Sequence, residues 1–272
     1  MSDLITALAT ELVDAYASRR HLQPPSSRAG GLDLPAAYAV EAELTRRRRA
    51  EGRTTVGRKV GHANKAVWRA LRLETLTWAR MYDDTVRYTD NDEASLSMAP
   101  LCSPRIEPEI VFKLRRPLGS EALEPAAVLD AVEWIALGFE IVDCVYADWK
   151  FEPSDFVAAV GLHAALVVGT PLVVTATNIP HLVEVLPRFT VDLQANGQSV
   201  AQGSGKNSLR SPVLCLGELA SAVARQPGAE PLAAGELVSS GSLTEAQPIA
   251  AGQTWTAVVE GIELPALTLR SG

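Results

Sequence analysis

Apolar residues recur with helical spacing from the start of the chain, at Leu4, Ile5, Leu8, Leu12, Val13 and Tyr16, and Ser2-Asp3 stands where a helix cap belongs. Prolines, serines and glycines in residues 21–31 break that pattern. Pro35 suits the first turn of a second helix, through Val40 and Leu44 to about Ala50, whose run Arg46–Arg49 reads as a solvated face. Thr54–Gly61 reads as a short strand between glycine turns and Lys65–Leu73 as a short helix. After Asp90 the texture changes. Strand-like segments occur at 105–114, 139–147, 165–168 and 171–176. Residues 189–193 and 199–202 flank Asn196-Gly197, a strong hairpin signal, and 236–240, 254–260 and 267–270 complete the set. Helices are predicted at 124–137 and 212–226, with Gly138 in the position of a helix-ending glycine. The pattern predicts an α+β chain: a small, mostly helical N-terminal region over residues 1–80, then a β-rich domain over 81–272.

The acidic pair on the segment 104–114 carries the chemistry. Ile106, Ile110 and Phe112 fall on one face of that strand. Glu107 and Glu109 fall on the other, roughly 6.5–7 Å apart along the chain. Two carboxylates aimed the same way repel, and are best tolerated in water, beside a cation, or with one protonated. Glu140 lies in a second apolar stretch, Gly138–Val142. Three carboxylates from two such strands can hold one hard divalent cation and leave positions open for a substrate; a solvent-facing strand edge is the plainer alternative. No His or Cys cluster accompanies the acids, so Mg²⁺ or Mn²⁺ is favoured over Zn²⁺.

Composition narrows the partners. The 272 residues are 47% hydrophobic and 21% charged, enough for a large core. A net charge of −7 and a pI near 5.2 argue against nucleic acid and anionic membrane as partners, but leave an anionic small molecule open, because a bound metal inverts the local field. No run of about 18 apolar residues offers a membrane span. Cys102, Cys144 and Cys215 show no paired spacing, which fits a reducing compartment, and the chain's start has no signal pattern; the cytoplasm is expected.

Other candidates are weaker one by one. Lys59, between glycines in Val56–Gly61, can reach a ligand carboxylate or sit in an exposed loop. Asp84, in Met81-Tyr82-Asp83-Asp84, can cap a turn or act as a general base. His163 is a lone histidine in an apolar run, more commonly a core residue than a catalyst. Lys206 ends a glycine-rich stretch, 203–206, that has neither the spacing nor the context of a phosphate loop. Ser242 and Thr244, in Gly241–Thr244, offer hydroxyl and backbone donors to a carboxylate, or form an ordinary turn.

The order of segments is more specific than any one of them. Gly57-Arg58-Lys59-Val60-Gly61, Met81–Asp84, Arg105–Ile110, Phe139–Asp143 and Ala147–Lys150 resemble the fumarylacetoacetate hydrolase superfamily, in its 2-keto-4-pentenoate hydratase and 4-oxalocrotonate decarboxylase branch. Later pieces agree, at 203–205, 211–212, 232–236 and 240–242. The resemblance implies a mixed β-roll catalytic domain with a helical N-terminal region. It implies Mg²⁺ or Mn²⁺ on Glu107, Glu109 and Glu140, with Lys59 and Asp84 as catalytic groups in the pocket. His163, Lys206, Ser242 and Thr244 are the substrate-binding candidates beside them. It also implies homodimers or larger homo-oligomers.

The implied activity is hydration or decarboxylation of a short unsaturated 2-oxo acid, with the cation stabilising charge on the C2 oxygen. Two departures fall near the expected pocket. Ala158–His163 lacks the Asp-Asn pair that hydratases of the branch carry, and Arg210-Ser211-Pro212 stands where they tend to show Gly-His-Pro. They keep two alternatives open: an acylpyruvate C–C bond hydrolase, favoured if His163 meets a carboxylate on a lid, and a non-catalytic protein that binds a metal or 2-oxo acid.

Overall fold

The computed structural model describes residues 2–120 and 124–272. The N-terminal pattern folds as two helices, α1 (Ser2–Ser18) and α2 (Leu34–Ala50). Asp33 starts the second by accepting a hydrogen bond from the Ala36 amide at 2.9 Å, and Arg47, Arg48 and Arg49 fill its last turn, where the helix dipole favours cations. Leu8, Leu12, Val40 and Leu44 pack with Tyr82, Val142, Tyr146 and Phe156, which docks the helices on the rest of the molecule. The remaining helices are short except the last: α3 (Lys65–Trp68), α4 (Pro125–Asp130), α5 (Pro153–Ala158), α6 (Ile179–Val185) and α7 (Pro212–Arg225).

The strands are β1 (Thr55–Gly61), β2 (Thr77–Tyr82), β3 (Val86–Tyr88), β4 (Glu93–Leu96), β5 (Pro104–Leu114), β6 (Val132–Asp143) and β7 (His163–Val168). They continue as β8 (Leu172–Val173), β9 (Thr190–Ala195), β10 (Gln198–Ser204), β11 (Leu237–Ser239), β12 (Gln247–Pro248), β13 (Thr254–Glu260) and β14 (Leu267–Ser271). The large sheet runs β2-β1-β11-β5-β6-β7-β3, with β12 added to β5 and β8 to β6. The second runs β10-β9-β13-β14-β4. Its β9–β10 hairpin turns on Asn196 and Gly197, both with positive φ (50° and 78°), as the two-residue turn requires.

β2 and β3 end the large sheet's order on opposite sides, yet only Asp83–Thr85 joins them, so the sheet curls until its ends approach. Met81 of β2 accordingly shares a cluster with Leu166 and Val168 of β7, and with Val111, Trp134, Ala136 and Leu237. This is the inside of the curl. The other face, with Ile110, Phe112, Ile135, Leu137, Phe139 and Val167, packs into the main core with α7 and the second sheet. Alternation along β5 thus sends Ile106, Ile110 and Phe112 outward to the core and Glu107 and Glu109 inward.

The structure corrects several expected elements. The predicted helix over 124–137 is a helix only to Asp130; Val132–Leu137 begins β6, a strand buried almost throughout. Such a strand shows a continuous apolar run rather than alternation, which is why the pattern misled. Gly138 is therefore no helix cap. It lies inside β6, opposite Glu109, where an added Cβ would stand 2.5 Å from Val111 Cγ2. The helix predicted over Lys65–Leu73 stops at Trp68, and β2 was not anticipated at all. β1 and β2 pair with one another and, through β11, with β5, so residues 55–61 and 77–82 supply two strands to the sheet that carries the acids. No helix among the described residues is long and apolar enough to cross a membrane.

Candidate metal centre and cavity

Four side chains from three strands meet inside the curl. Glu107 and Glu109 project from β5, Glu140 from β6 directly opposite Glu107, and Lys59 from β1. One oxygen from each carboxylate can be chosen so that all lie within 4.8 Å of one another. Glu109 and Glu140 are fully buried, and Glu107 is partly exposed. Glu109 Oε2 accepts hydrogen bonds from Ser239 Oγ and from the Gly241 amide at 2.8 Å, while its Oε1 has no partner. Glu140 Oε1 lies 2.9 Å from His163 Nδ1. Its Oε2 lies 3.1 Å from Lys59 Nζ, close enough for an ion pair but not aligned for a hydrogen bond; Lys59 donates instead to the Gly161 carbonyl at 3.0 Å.

Three carboxylates face one ammonium, and the imbalance shifts each of them. Burial pushes Glu107 up to about 7, with Lys59 opposing and Glu140 adding to the rise. Burial, then Glu140 and Glu107, raise Glu109 well above the carboxylate range. Burial is also the largest influence on Glu140, but Lys59 and the His163 hydrogen bond together outweigh it and hold that group low. Lys59 is lowered by burial and raised more by the three acids, so it stays charged. A divalent cation fits this set. Two buried carboxylate oxygens lack hydrogen-bond partners, the carboxylates crowd one another, and an oxygen-only donor set suits a hard ion.

A cavity of about 650 Å³ opens onto Lys59 and Glu107. Trp149, Phe151 and Phe156 give it an apolar lining, and His62, Asn64 and Asn207 a polar one. Lys206, Ser242 and Thr244 line it too. Ser242 and Thr244 brace their own turn, Ser242 Oγ donating to the Thr244 carbonyl at 2.7 Å.

Two candidates are not brought there. Asp84 is 47% exposed, 3.4 Å from Arg53, and does not line the cavity. β2 ends at Tyr82, and the following turn points Asp84 to solvent while Asp83 binds the Thr54 amide. Thr85 of the same turn reaches inward instead, to His163 Nε2 at 2.9 Å. His163 does not line the cavity. It stands in β7, off the cavity, held between Thr85 and Glu140, where it orients a carboxylate rather than a ligand. Sequence reasoning missed Ser239, which steadies Glu109, and His62, whose only signal was its position next to the Gly57–Gly61 segment.

No family model matches the chain. It is 31% identical over 266 residues to the 2-hydroxyhexa-2,4-dienoate hydratase of Comamonas testosteroni, covering 96% of this chain and 97% of that one. It is 31% identical over 217 residues to the 2-hydroxypent-2,4-dienoate hydratase of Pseudomonas putida, covering 80% and 94%. The fold matches 4-oxalocrotonate decarboxylase from Pseudomonas putida G7, complexed with magnesium and adipate, with a TM-score of 0.88 over 100% of this chain and 98% of that one at 24% identity. The chain belongs to the family of 2-hydroxy-2,4-dienoate hydratases, and it shares its fold with 4-oxalocrotonate decarboxylase.

Proposed function

We propose that the protein is a divalent-metal-dependent lyase that hydrates a short 2-hydroxy-2,4-dienoate, the enol form of an unsaturated 2-oxo acid. The observation that carries this reading is the inward cluster of Glu107, Glu109, Glu140 and Lys59 beside a cavity sized for a small acid. The hydratase names of the 31%-identical relatives support it. Glu107, Glu109 and Glu140 would hold the ion, and Mg²⁺ or Mn²⁺ is the proposed choice. Structural neighbours carry magnesium, calcium or Mn²⁺, and this chain's ligands are all carboxylates.

When bound, the ion supplies Lewis-acid polarisation of the 2-oxo group and neutralises charge that develops on its oxygen. The chain's own residues do the rest. Ser239 and the Gly241 amide fix Glu109, and His163 fixes Glu140, so the carboxylates are oriented before substrate arrives. Lys59 is charged, nearly sealed from solvent and on the cavity lining, placed to bind the substrate carboxylate or its C2 oxygen. Trp149, Phe151 and Phe156 exclude water from the carbon chain.

Decarboxylation is the second reading, and Lys206 favours it. Among the described residues it makes no ion pair, and a lone cation on the cavity suits the second carboxylate of a 4-oxalocrotonate-type acid. The hydrolase reading loses its support, since His163 lies in a strand of the curled sheet and not on a lid. The non-catalytic reading weakens because His62, Asn207 and Lys206 restore polar groups to the cavity. The three free thiols fit a cytoplasmic enzyme. Turnover on 2-hydroxy-2,4-pentadienoate, 4-oxalocrotonate and an acylpyruvate, each with Mg²⁺ and with Mn²⁺, is the test. Loss of dienoate absorbance with a 4-hydroxy-2-oxo acid as product supports hydration. CO₂ release from 4-oxalocrotonate supports the second reading. Turnover of none of them overturns both.

A further inference from the structure

One polar side chain in the cavity has no task in this scheme. His62 follows the last residue of β1, three positions after Lys59, and lines the cavity. Its backbone is left-handed, with φ of 56°, a conformation uncommon outside glycine that persists where surroundings enforce it. They do so here. Nδ1 is 2.8 Å from Thr77 Oγ1 on β2, the ring stands edge-on to Phe156 with centroids 5.0 Å apart, and the His62 carbonyl accepts from Trp68 Nε1 at 2.7 Å. Nδ1 is therefore engaged, and the ring plane is set. Nε2 makes no hydrogen bond among the described residues and is not among the sealed, unpartnered atoms, and the residue that carries it lines the cavity. Strained backbone, a fixed ring and one unengaged nitrogen next to Lys59 are what a proton-transferring histidine needs.

From this geometry we infer that His62 is a catalytic residue, its Nε2 meeting the unsaturated end of the substrate and exchanging a proton there. The inference rests on the hydratase reading. Lys59 and Glu107 mark the end of the cavity that takes the 2-oxo carboxylate group, so the carbon chain must run along the remaining lining, to which His62 belongs. The neutral Nε2 lone pair takes a proton from water as the water oxygen bonds to C4 of the 2-oxo-3-enoate. The C3–C4 π pair moves toward C2 and leaves an enolate. The imidazolium then returns the proton to C3 as the C2 carbonyl re-forms. Water is added across one double bond, and the ring ends neutral. Burial, and then the Lys59 ammonium, lower the ring's pKa to about 4, so it enters the cycle unprotonated. A substrate carboxylate arriving beside Lys59 offsets the second influence and strengthens the base when it is needed.

Two substitutions respect the left-handed backbone. His62→Asn suits positive φ and keeps a side chain that can bond to Thr77, and His62→Gly leaves a space the size of the ring. In both, kcat for dienoate hydration should fall on the order of 100-fold while KM and the Mg²⁺-dependent melting shift stay near wild type. Imidazole added to His62→Gly should restore part of kcat. If His62→Asn fails to fold, the imidazole titration of His62→Gly decides alone. Wild-type kcat in a folded variant, or a loss in His62→Gly that imidazole leaves untouched, overturns the inference. If wild-type protein hydrates no dienoate, the functional reading fails instead. The His62 ring ¹⁵N resonances in Mg²⁺-loaded protein then judge the contact alone: titration with 2-oxopentanoate should move Nε2, and an unmoved Nε2 overturns the inference.

Discussion

Magnesium should stabilise this protein against heat, and by more as pH rises. Burial holds Glu107 at about 7 where an ordinary glutamate titrates at 4.5, and it raises Glu109 well above the carboxylate range too. Without metal, the folded state keeps protons that the unfolded chain releases. The acids then favour folding below about pH 4.5, and that advantage is lost as pH rises through about 7. For Glu107 alone the shift corresponds to about 3 kcal/mol. A dication bound by the cluster replaces those protons, so its apparent affinity climbs across the same interval. At a concentration 100-fold above its dissociation constant it adds about 2.7 kcal/mol. A chain of 272 residues unfolds with an entropy of roughly 0.6 kcal/mol per kelvin, so the melting midpoint should rise by ~5 °C. The assay is a thermal melt of EDTA-treated, dialysed protein, with and without millimolar Mg²⁺, from about pH 6 to about pH 8. Glu109→Gln removes one ligand charge at nearly constant shape and should abolish most of the shift. Midpoints indifferent to Mg²⁺ and Mn²⁺ at every pH, or a full shift in Glu109→Gln, would refute the assignment of the cluster.

Lys59→Met should cost folding stability as well as turnover: only 2% of the lysine is exposed, and its removal leaves Glu140 without its cation, about 3–5 kcal/mol in metal-free protein, read by urea unfolding. An unchanged midpoint would mean that the pair contributes nothing. His163→Leu deletes the hydrogen bond that orients Glu140 and should weaken Mg²⁺ binding by ~10–100-fold in calorimetry, with Thr85→Val following in the same direction. Equal affinities in variant and wild type would make His163 a packing residue. We also expect a homodimer or larger assembly, because β10 is an exposed edge strand with Val200 facing solvent; sedimentation at micromolar protein showing a single 29 kDa species would contradict it.

Much of the site was legible because strand alternation is a local property. Ile106, Ile110 and Phe112 against Glu107 and Glu109 assign both acids to one face whatever the rest of the chain does. What that face looks onto is not local. It depends on the large sheet curling until the ends that carry β2 and β3 approach, and β2 itself, buried at every position, left no alternation to read. β6 failed in the same way: its first half, buried on both faces, read as helix, while Glu140 in its second half stood out as the one charge in an apolar run. Turns are harder still, because facing there changes within a residue. Asp83, Asp84 and Thr85 share one turn, yet Asp84 points to solvent and Thr85 reaches the histidine behind the carboxylates. His62 had no period to belong to. Its place in the cavity follows from a single left-handed residue at the end of β1, a conformation that a sequence betrays when glycine occupies it and hides when histidine does. The residues that hold charge in place were therefore readable from spacing. Those that line the rest of the cavity, His62 among them, depend on how the curl closes.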